Sequence, residues 1–531
     1  MNRFFLCISC LFVLSTTAQQ IVVVDKLENS PIPAAAVYNS LKTKIETTDI
    51  NGLVSIDEFA ASEKINFQHI SYQNRLVSKT SIQDTVFLTP KATSLNEVVV
   101  SASKFQQSKK EVPQTIISIN SKAIQFSNPQ TSADLLSNSG RVFVQKSQLG
   151  GGSPLIRGFS TNRLLITVDG VRLNNAIFRG GNVQNVLSIN PFNIEKTEVI
   201  LGSGSVIYGS DAIGGVMNFY TTTPKLSESK TPIFSARSTV RHATADTEKT
   251  AHLDFNVGFQ KWGFHTSASL SDFGDLKMGV HGPDDYLSLF YSEQINGRDV
   301  MVSNPTPRVQ KFTNFQQIHL AQKVLFKATD DLKFDLGIQY STTSDYPRYD
   351  RLATHDSEGV LRYAEWNYGP QEWLLANMQM TKLSSRSNLY DKIKVSAAYQ
   401  NFKESRINRR FNANTRKIRE ENVDAISLNF DFYKTLTTKS NISYGTEYIY
   451  NKVGSVGHSE NIRTDATERI DSRYPDGSKW QTLAAYLSHK YKPNSNLTLQ
   501  SGIRYNYVTI SADLSANNTF FNLPFKMANL K

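Results

Sequence analysis

The sequence predicts a mainly β chain made of an N-terminal β-sandwich, an α+β middle segment and part of an antiparallel transmembrane β-barrel. Three observations point there. From about residue 232 apolar and polar residues alternate with a period of two over strand-length stretches, giving each strand one apolar face. Short turns alternate with long polar stretches between those strands, as in a barrel with turns on one rim and loops on the other. Aromatic residues are plentiful, 30 Phe and 22 Tyr, as interfacial girdles require.

Composition narrows the class. A chain of 531 residues is too long for one ordinary domain. Its 39% hydrophobic content and mean hydropathy of −0.35 argue against a helical membrane protein. Beyond residue 18 no apolar run is long enough for a transmembrane helix, but barrel strands average out as polar and stay open. A soluble all-β protein would share this composition, so the N-terminus matters. Arg3 precedes an apolar stretch from Phe4 to Leu14, and Thr16-Thr17-Ala18 supplies small residues before Gln19, which reads as a signal peptide over residues 1–18. Ile8-Ser9-Cys10 has a lipoprotein-like ending, but the apolar region ahead of it is too short. Both cysteines, Cys7 and Cys10, lie inside this segment. The mature chain is thus expected to hold no thiol nucleophile and no Cys-ligated zinc. The formal net charge of +11 raises nucleic acid as a partner. Scattered Lys and Arg on an exported chain point instead to anionic lipid head groups, with no nucleic acid expected.

Residues 19–92 read as the sandwich. Ile21–Val24, Ala36–Tyr38, Val54–Ile56, Ile65–Phe67 and Val86–Leu88 are short apolar runs, punctuated by Pro31, Pro33, Asp49 and Asn51-Gly52. Thr48-Asp49-Ile50-Asn51-Gly52-Leu53 and Phe67-Gln68-His69-Ile70-Ser71-Tyr72 make this stretch similar to the carboxypeptidase-regulatory-like domain found ahead of many Bacteroidetes outer-membrane receptors. His69 has no metal partner in the pattern and reads as structural. Over 94–103, Glu97-Val98-Val99-Val100-Ser101-Ala102 joins a β-branched triplet to small polar flanks beside a polar stretch, suited to adding a strand to a partner's sheet edge. One more strand of the chain's own fold is the alternative.

Residues 110–225 form the α+β segment. Ile116–Ile119 and Val142–Val144 read as strands. Thr131-Ser132 can cap a helix running through Leu136. Asp169-Gly170 makes a turn between Leu164–Val168 and Val171, and Ile194–Ile200 alternates as a half-exposed strand. The glycine-rich stretch Gly202–Gly215 carries neither Rossmann nor P-loop spacing, so nucleotide binding is set aside. Four motifs, in order, resemble the plug domain of TonB-dependent receptors: Ile156-Arg157-Gly158-Phe159, Val168-Asp169-Gly170-Val171, Ile194-Glu195-Lys196-Thr197-Glu198-Val199, and Ser205 to Asn218, which holds Tyr208, Gly209, Asp211, Gly214 and Gly215. The resemblance implies a structural role for these residues, with glycines at close backbone approaches and charges tying plug to barrel. It also implies that Glu97–Ala102 is the TonB box.

Residues 230–531 read as the N-terminal part of the barrel. Leu253, Phe255 and Val257 mark one strand, Leu336, Ile338 and Tyr340 another, Ile426, Leu428 and Phe430 a third, and Leu499, Ile503 and Tyr505 the last clear one. Lys492–Asn494 reads as a short turn, and residues 273–312, 343–370, 403–423 and 452–478 as long outer loops. About 12 strands are expected, where plugged transporters have roughly 22, and the chain ends without a terminal aromatic residue, so truncation is expected.

The resemblance implies energised import of a scarce nutrient across the cell outer membrane. TonB with its inner-membrane complex, outer-membrane lipid and an extracellular ligand would be partners, with the plug and N-terminal domain on the periplasmic side. Asp345-Tyr346-Pro347-Arg348-Tyr349-Asp350-Arg351-Leu352 and Leu361 to Gln371 resemble the haem and haemoglobin receptor branch. The expected cargo is haem or iron from a haem protein, with no intrinsic cofactor. His281, Tyr349, His355 and His458 are then candidate ligand residues in loops, since His and Tyr can ligate haem iron. The absence of His from Arg172 to Leu187 counts against haem, and ferric siderophores, cobalamin and glycans are the alternatives. A non-energised adhesin or structural barrel is the competing class. No hydrolase or metalloprotease motif supports an enzyme.

Overall fold

A computed structural model describes residues 19–26, 28–90, 98–146, 149–177, 185–494 and 496–514. The expected signal peptide, Glu97 and the end of the chain lie outside these. The chain divides into two compact units, the first ending at Glu97 and the second starting at Val98.

The first unit is the expected sandwich. One sheet orders Leu53–Ser55, Gln20–Asp25 and Thr85–Leu88; the other orders Ile45–Thr47, Ala36–Asn39, Lys64–Gln68 and Arg75–Ser78. Ile21, Val23, Val37, Ile65, Phe67 and Leu88 form its core, the inward half of the period-two pattern. Ile45–Thr47 and Arg75–Ser78 escape sequence reading because they are short and carry no clean alternation. Asp49 Oδ1 accepts from the N–H of Asn51 and of Leu53, each at 2.8 Å, so the Thr48–Leu53 motif is an Asx turn. Gly52 is required there: its φ is +73°, and a Cβ would meet the Val23 carbonyl oxygen at 2.6 Å. His69 Nδ1 accepts from the Ser71 N–H, and the ring packs edge-on to Tyr72.

In the second unit, a five-stranded mixed sheet orders Thr115–Asn120, Ile194–Leu201, Gly215–Thr221, Leu164–Val168 and Val171–Arg172. The Ser132–Ser137 helix begins as predicted, with Thr131 and Asp134 forming a capping box. Ile194–Leu201 differs from its predicted half-exposure. It is flanked by strands on both sides and is buried from Thr197 to Ile200.

Around this sheet runs an antiparallel wall. Eleven strands follow one hydrogen-bonded path from Ile233–Ala243 to Leu497–Ser511, within a sheet of 14 strands. Among the described residues the two end strands of the path do not pair with each other. The wall inverts the burial of a soluble sheet. Leu253, Leu270, Ile338 and Ile426 are 48–56% exposed, whereas His252, Ser269, Gln317, Asn429 and Glu447 on the opposite face are buried. Apolar outside and polar inside is what a wall in lipid requires, since hydrocarbon cannot hydrogen-bond a polar side chain. Connections 259–261, 328–331, 384–391 and 438–439 make one rim, and those of 274–314, 344–371 and 462–477 lie on the other.

Three loop expectations are corrected. Residues 403–423 are not a loop: Lys392–Arg410 and Thr415–Thr437 run as strands through them, and Ser440–Asn461 covers the start of the predicted 452–478 loop. These strands of 19 to 23 residues overshoot the 9–11 that span a bilayer, so their outer halves carry polar side chains on both faces and look like loop in sequence. Cross-strand charges hold the extension together. Glu404 opposes Glu421, and Arg473 Nη1 reaches both carboxylates, at 2.9 and 2.8 Å. Lys492–Asn494 is the end of the Ser478–Asn494 strand, and the short turn comes directly after it, because Asn494 pairs with Leu497 at the start of the antiparallel strand Leu497–Ser511.

Candidate functional site

The sequence offers Glu97–Ala102 to a partner's sheet edge; its described part, Val98–Ala102, is folded into the second unit. Val98–Val99 pairs with Gln107–Ser108 of the same chain. Val99 and Ala102, the buried apolar residues of the segment, join a cluster with Ile116, Leu165 and Ile200 of the plug sheet, Ile207 of the Ser205–Tyr208 helix and Tyr486 of the wall. The backbone is pinned as well. Glu198, fully buried, accepts from the Val100 N–H at 3.0 Å and the Ser101 N–H at 2.8 Å. Lys196 balances its charge at 2.7 Å. Tyr208 Oη donates to the Ser101 carbonyl at 2.8 Å. Burial, with the Glu198 carboxylate nearby, holds that phenol far above its ordinary pKa, so it stays a donor. Downstream, Lys104 pairs with Asp431 of the wall at 2.9 Å, Phe105 packs against Tyr433, and Lys492 meets Glu111. These wall residues lie towards the short-turn rim, so the segment runs along the inner wall at that end.

The other plug-motif residues divide between plug and wall. Asp169 accepts from Thr221 and pairs with Lys323 of the wall at 3.2 Å. Arg172 links Asp211 of the plug, at 2.8 Å, to Glu447 of the wall, which Arg504 meets at 2.9 Å. Asp169–Gly170 takes positive φ at both residues, +50° and +83°, as a tight hairpin turn needs. Gly214 leaves no room for a side chain: a Cβ would sit 2.3 Å from that of Phe159. Gly209 has φ +90° beside the Arg504 guanidinium, and at Gly215 a Cβ would meet the Ile200 carbonyl oxygen at 2.8 Å. Arg157 and Gly158 lie exposed at a positive-φ turn, with Arg157 reaching only the Leu201 carbonyl, and Glu195 accepts from the Thr223 N–H. Neither Arg157 nor Glu195 ties plug to wall among the described contacts. Arg172, Lys323, Glu447 and Arg504 were missed by sequence reading. Each is one charged residue among many, and only the closure of plug against wall brings them together.

On the long-loop side, Tyr346, Trp366, Tyr368, Phe273 and Phe315 pack with Leu149 at the plug apex. Arg348 stacks on Trp366 at 4.7 Å and donates to Tyr368 Oη at 3.1 Å; Arg406 covers the same Trp366 ring at 5.4 Å. Tyr349 is half-buried and donates to the Lys146 carbonyl at 3.3 Å, and burial raises its pKa. His281 and His355 lie in connections. His458 does not: it sits within the Ser440–Asn461 strand, paired with Ile418 and Arg469, for the reason given for the other overlong strands. Among the described residues no three His, Cys, Asp or Glu gather as a metal site. A cavity of about 270 Å³ lies between Asn174–Ile177 of the plug and Tyr474 and Trp480 of the wall.

A mixed sheet with short helices, enclosed by a wall that is polar inside and apolar outside, is the architecture of a plugged β-barrel. Residues 108–216, which include the enclosed sheet, match the TonB-dependent Receptor Plug Domain. The chain is 33% identical over 205 residues to the vitamin B12 transporter BtuB of Vibrio vulnificus strain CMCP6, covering 38% of this chain and 33% of that protein. Its counterpart in strain YJ016 is 39% identical over 127 residues, covering 23% of this chain and 20% of that protein. The chain thus spans a third or less of the curated relatives it matches. Among solved structures, the ferripyoverdine receptor of the outer membrane of Pseudomonas aeruginosa aligns with a TM-score of 0.56 at 12% identity, over 93% of this chain and 63% of that one. The copper transporter OprC aligns with a TM-score of 0.55 at 14% identity, over 75% and 55%. Likeness at these identities speaks for the fold.

Proposed function

We propose that the protein imports a scarce nutrient across the outer membrane, driven by TonB pulling on the Val98–Ala102 segment. The supporting observation is the seating of that segment: its backbone hangs on Glu198 and Tyr208, two residues of the plug itself. A pull on the segment therefore loads the Ile194–Leu201 strand and the Ser205–Tyr208 helix directly. The barrel supplies no energy of its own, so the inner-membrane complex is an obligatory partner in this reading. Haem, or iron taken from a haem protein, is the first cargo reading. Its support is Tyr349 against the plug and His281 and His355 in the outer connections, residue types that can ligate haem iron. Cobalamin is the second reading, favoured by the similarity to vitamin B12 transporters.

Titration of the purified protein with haem and, separately, with cyanocobalamin distinguishes the two. The haem reading expects a shifted Soret band and growth on haem as sole iron source. Binding of cyanocobalamin with an unchanged haem spectrum would replace it by the second.

A further inference from the structure

A cavity of about 210 Å³ lies behind the box segment, between Val100 and Lys104–Gln106, the Tyr220–Thr223 end of the plug, and the wall. Five lysines line it, Lys104, Lys323, Lys333, Lys392 and Lys394, against two aspartates, Asp169 and Asp335. Two of the lysines are neutralised, Lys104 by Asp431 and Lys323 by Asp169. Among the described residues Lys392 has only the Phe105 ring, at 5.8 Å, and Lys333 and Lys394 have no hydrogen-bond or ion-pair partner. Among the described residues Asp335, with one buried oxygen lacking a hydrogen bond, is the only other counter-charge lining the cavity.

Register explains the clustering. Lys333 opposes Thr381, Thr381 opposes Lys394, and Lys394 opposes Asp431, so the four stand in one lateral row across adjacent strands. Alternate strands are roughly 10 Å apart, which places two long ammonium stems within reach of one oxyanion, with a hydroxyl between them. Cations held against low-dielectric walls raise the local concentration of anions.

We propose that this cavity is an oxyanion site on the route out of the barrel, taking a carboxylate or phosphate borne by the cargo, with the box segment as its door. The inference rests on the import reading. Withdrawing the segment removes Val100, Lys104 and Phe105 from the cavity wall and uncovers Lys333, Lys392 and Lys394. It also takes Lys104 away from Asp431. That carboxylate then faces Lys394 in register and draws it from the anion, so opening and release are one event.

The test uses the whole protein in outer-membrane vesicles, with Cys7 and Cys10 absent or replaced by serine, and Thr381→Cys as a reporter in the row. Anionic and cationic methanethiosulfonates of equal size are compared. The anionic reagent is expected to react at least about tenfold faster, with the preference lost in K333Q/K394Q and kept in K333R/K394R. Equal rates, or a cationic preference, in the otherwise unaltered protein overturn the site. Haem, with its propionate carboxylates, is expected to protect the reporter, and haem dimethyl ester is not. Protection by inorganic phosphate with no effect of haem assigns the site to a free anion and overturns the transit role. Protection by haem without haem uptake would contradict the import reading and leave the oxyanion site standing.

Discussion

Glu198 is the residue on which the two halves of the proposed mechanism meet. Its carboxylate is fully buried and takes two backbone N–H groups of the box segment. Hydrogen bonds to a charged acceptor contribute about 1.5–3 kcal/mol each. Glu198→Gln keeps the shape but loses the charge and one acceptor oxygen. A spin label at position 98 is therefore expected to become mobile in E198Q, and Val98 is half-exposed and can carry one. Tyr208→Phe removes a single neutral bond, about 1 kcal/mol, and should loosen the label less. An equally immobile label in both variants would show that apolar packing of Val99 and Ala102 holds the segment alone. Gly214→Ala tests a different contact. With a Cβ 2.3 Å from that of Phe159, the plug strand must shift, and a loss of about 1–3 kcal/mol is expected in plug unfolding.

Ile338 is 56% exposed on the outward face of the Leu332–Thr343 strand. Ile338→Arg is expected to cost up to about 2–4 kcal/mol in lipid if it lies near the bilayer midplane, measured by urea unfolding in vesicles; no loss would place this face away from hydrocarbon. On the long-loop side, Glu365 binds Arg409 at 2.9 Å and Arg416 at 2.7 Å. Burial pushes that carboxyl up, but the bonds from Arg416 and Arg409 outweigh it and hold it below its ordinary value. The stability it contributes is complete above the unfolded pKa and is lost as pH falls through the folded one. Acidification below the usual glutamate range should therefore speed proteolysis at the 411–414 tip, and Glu365→Gln should be proteolysed at neutral pH as the parent is in acid.

The same elements show what sequence can and cannot carry. The wall was legible where lipid forces alternation, as in Leu253 to Val257 and Ile426 to Phe430. Beyond the apolar band alternation has no solvent to mark it, and polar strands such as 403–410 and 415–423 read as loops. Plug strands and the Thr131 cap were legible because turn and cap chemistry is local. The seating of Val98–Ala102 was not. It depends on Glu198, Tyr208 and Asp431, which lie 96 or more positions away along the chain and are identifiable as partners only once the fold closes.

The whole molecule joins three parts. An apolar-outside wall faces lipid, a plug is tied to it through Asp169–Lys323 and Arg172–Glu447, and a tether ends on the plug. Only the tether distinguishes an energised importer from an adhesin or a structural barrel of the same fold. Deleting residues 95–102 and measuring cargo binding and cargo uptake in the same cells tests that distinction most directly. Binding at the cell surface is expected to be unchanged and uptake abolished, because TonB then has no segment to pull. Uptake at the undeleted rate would contradict energised import.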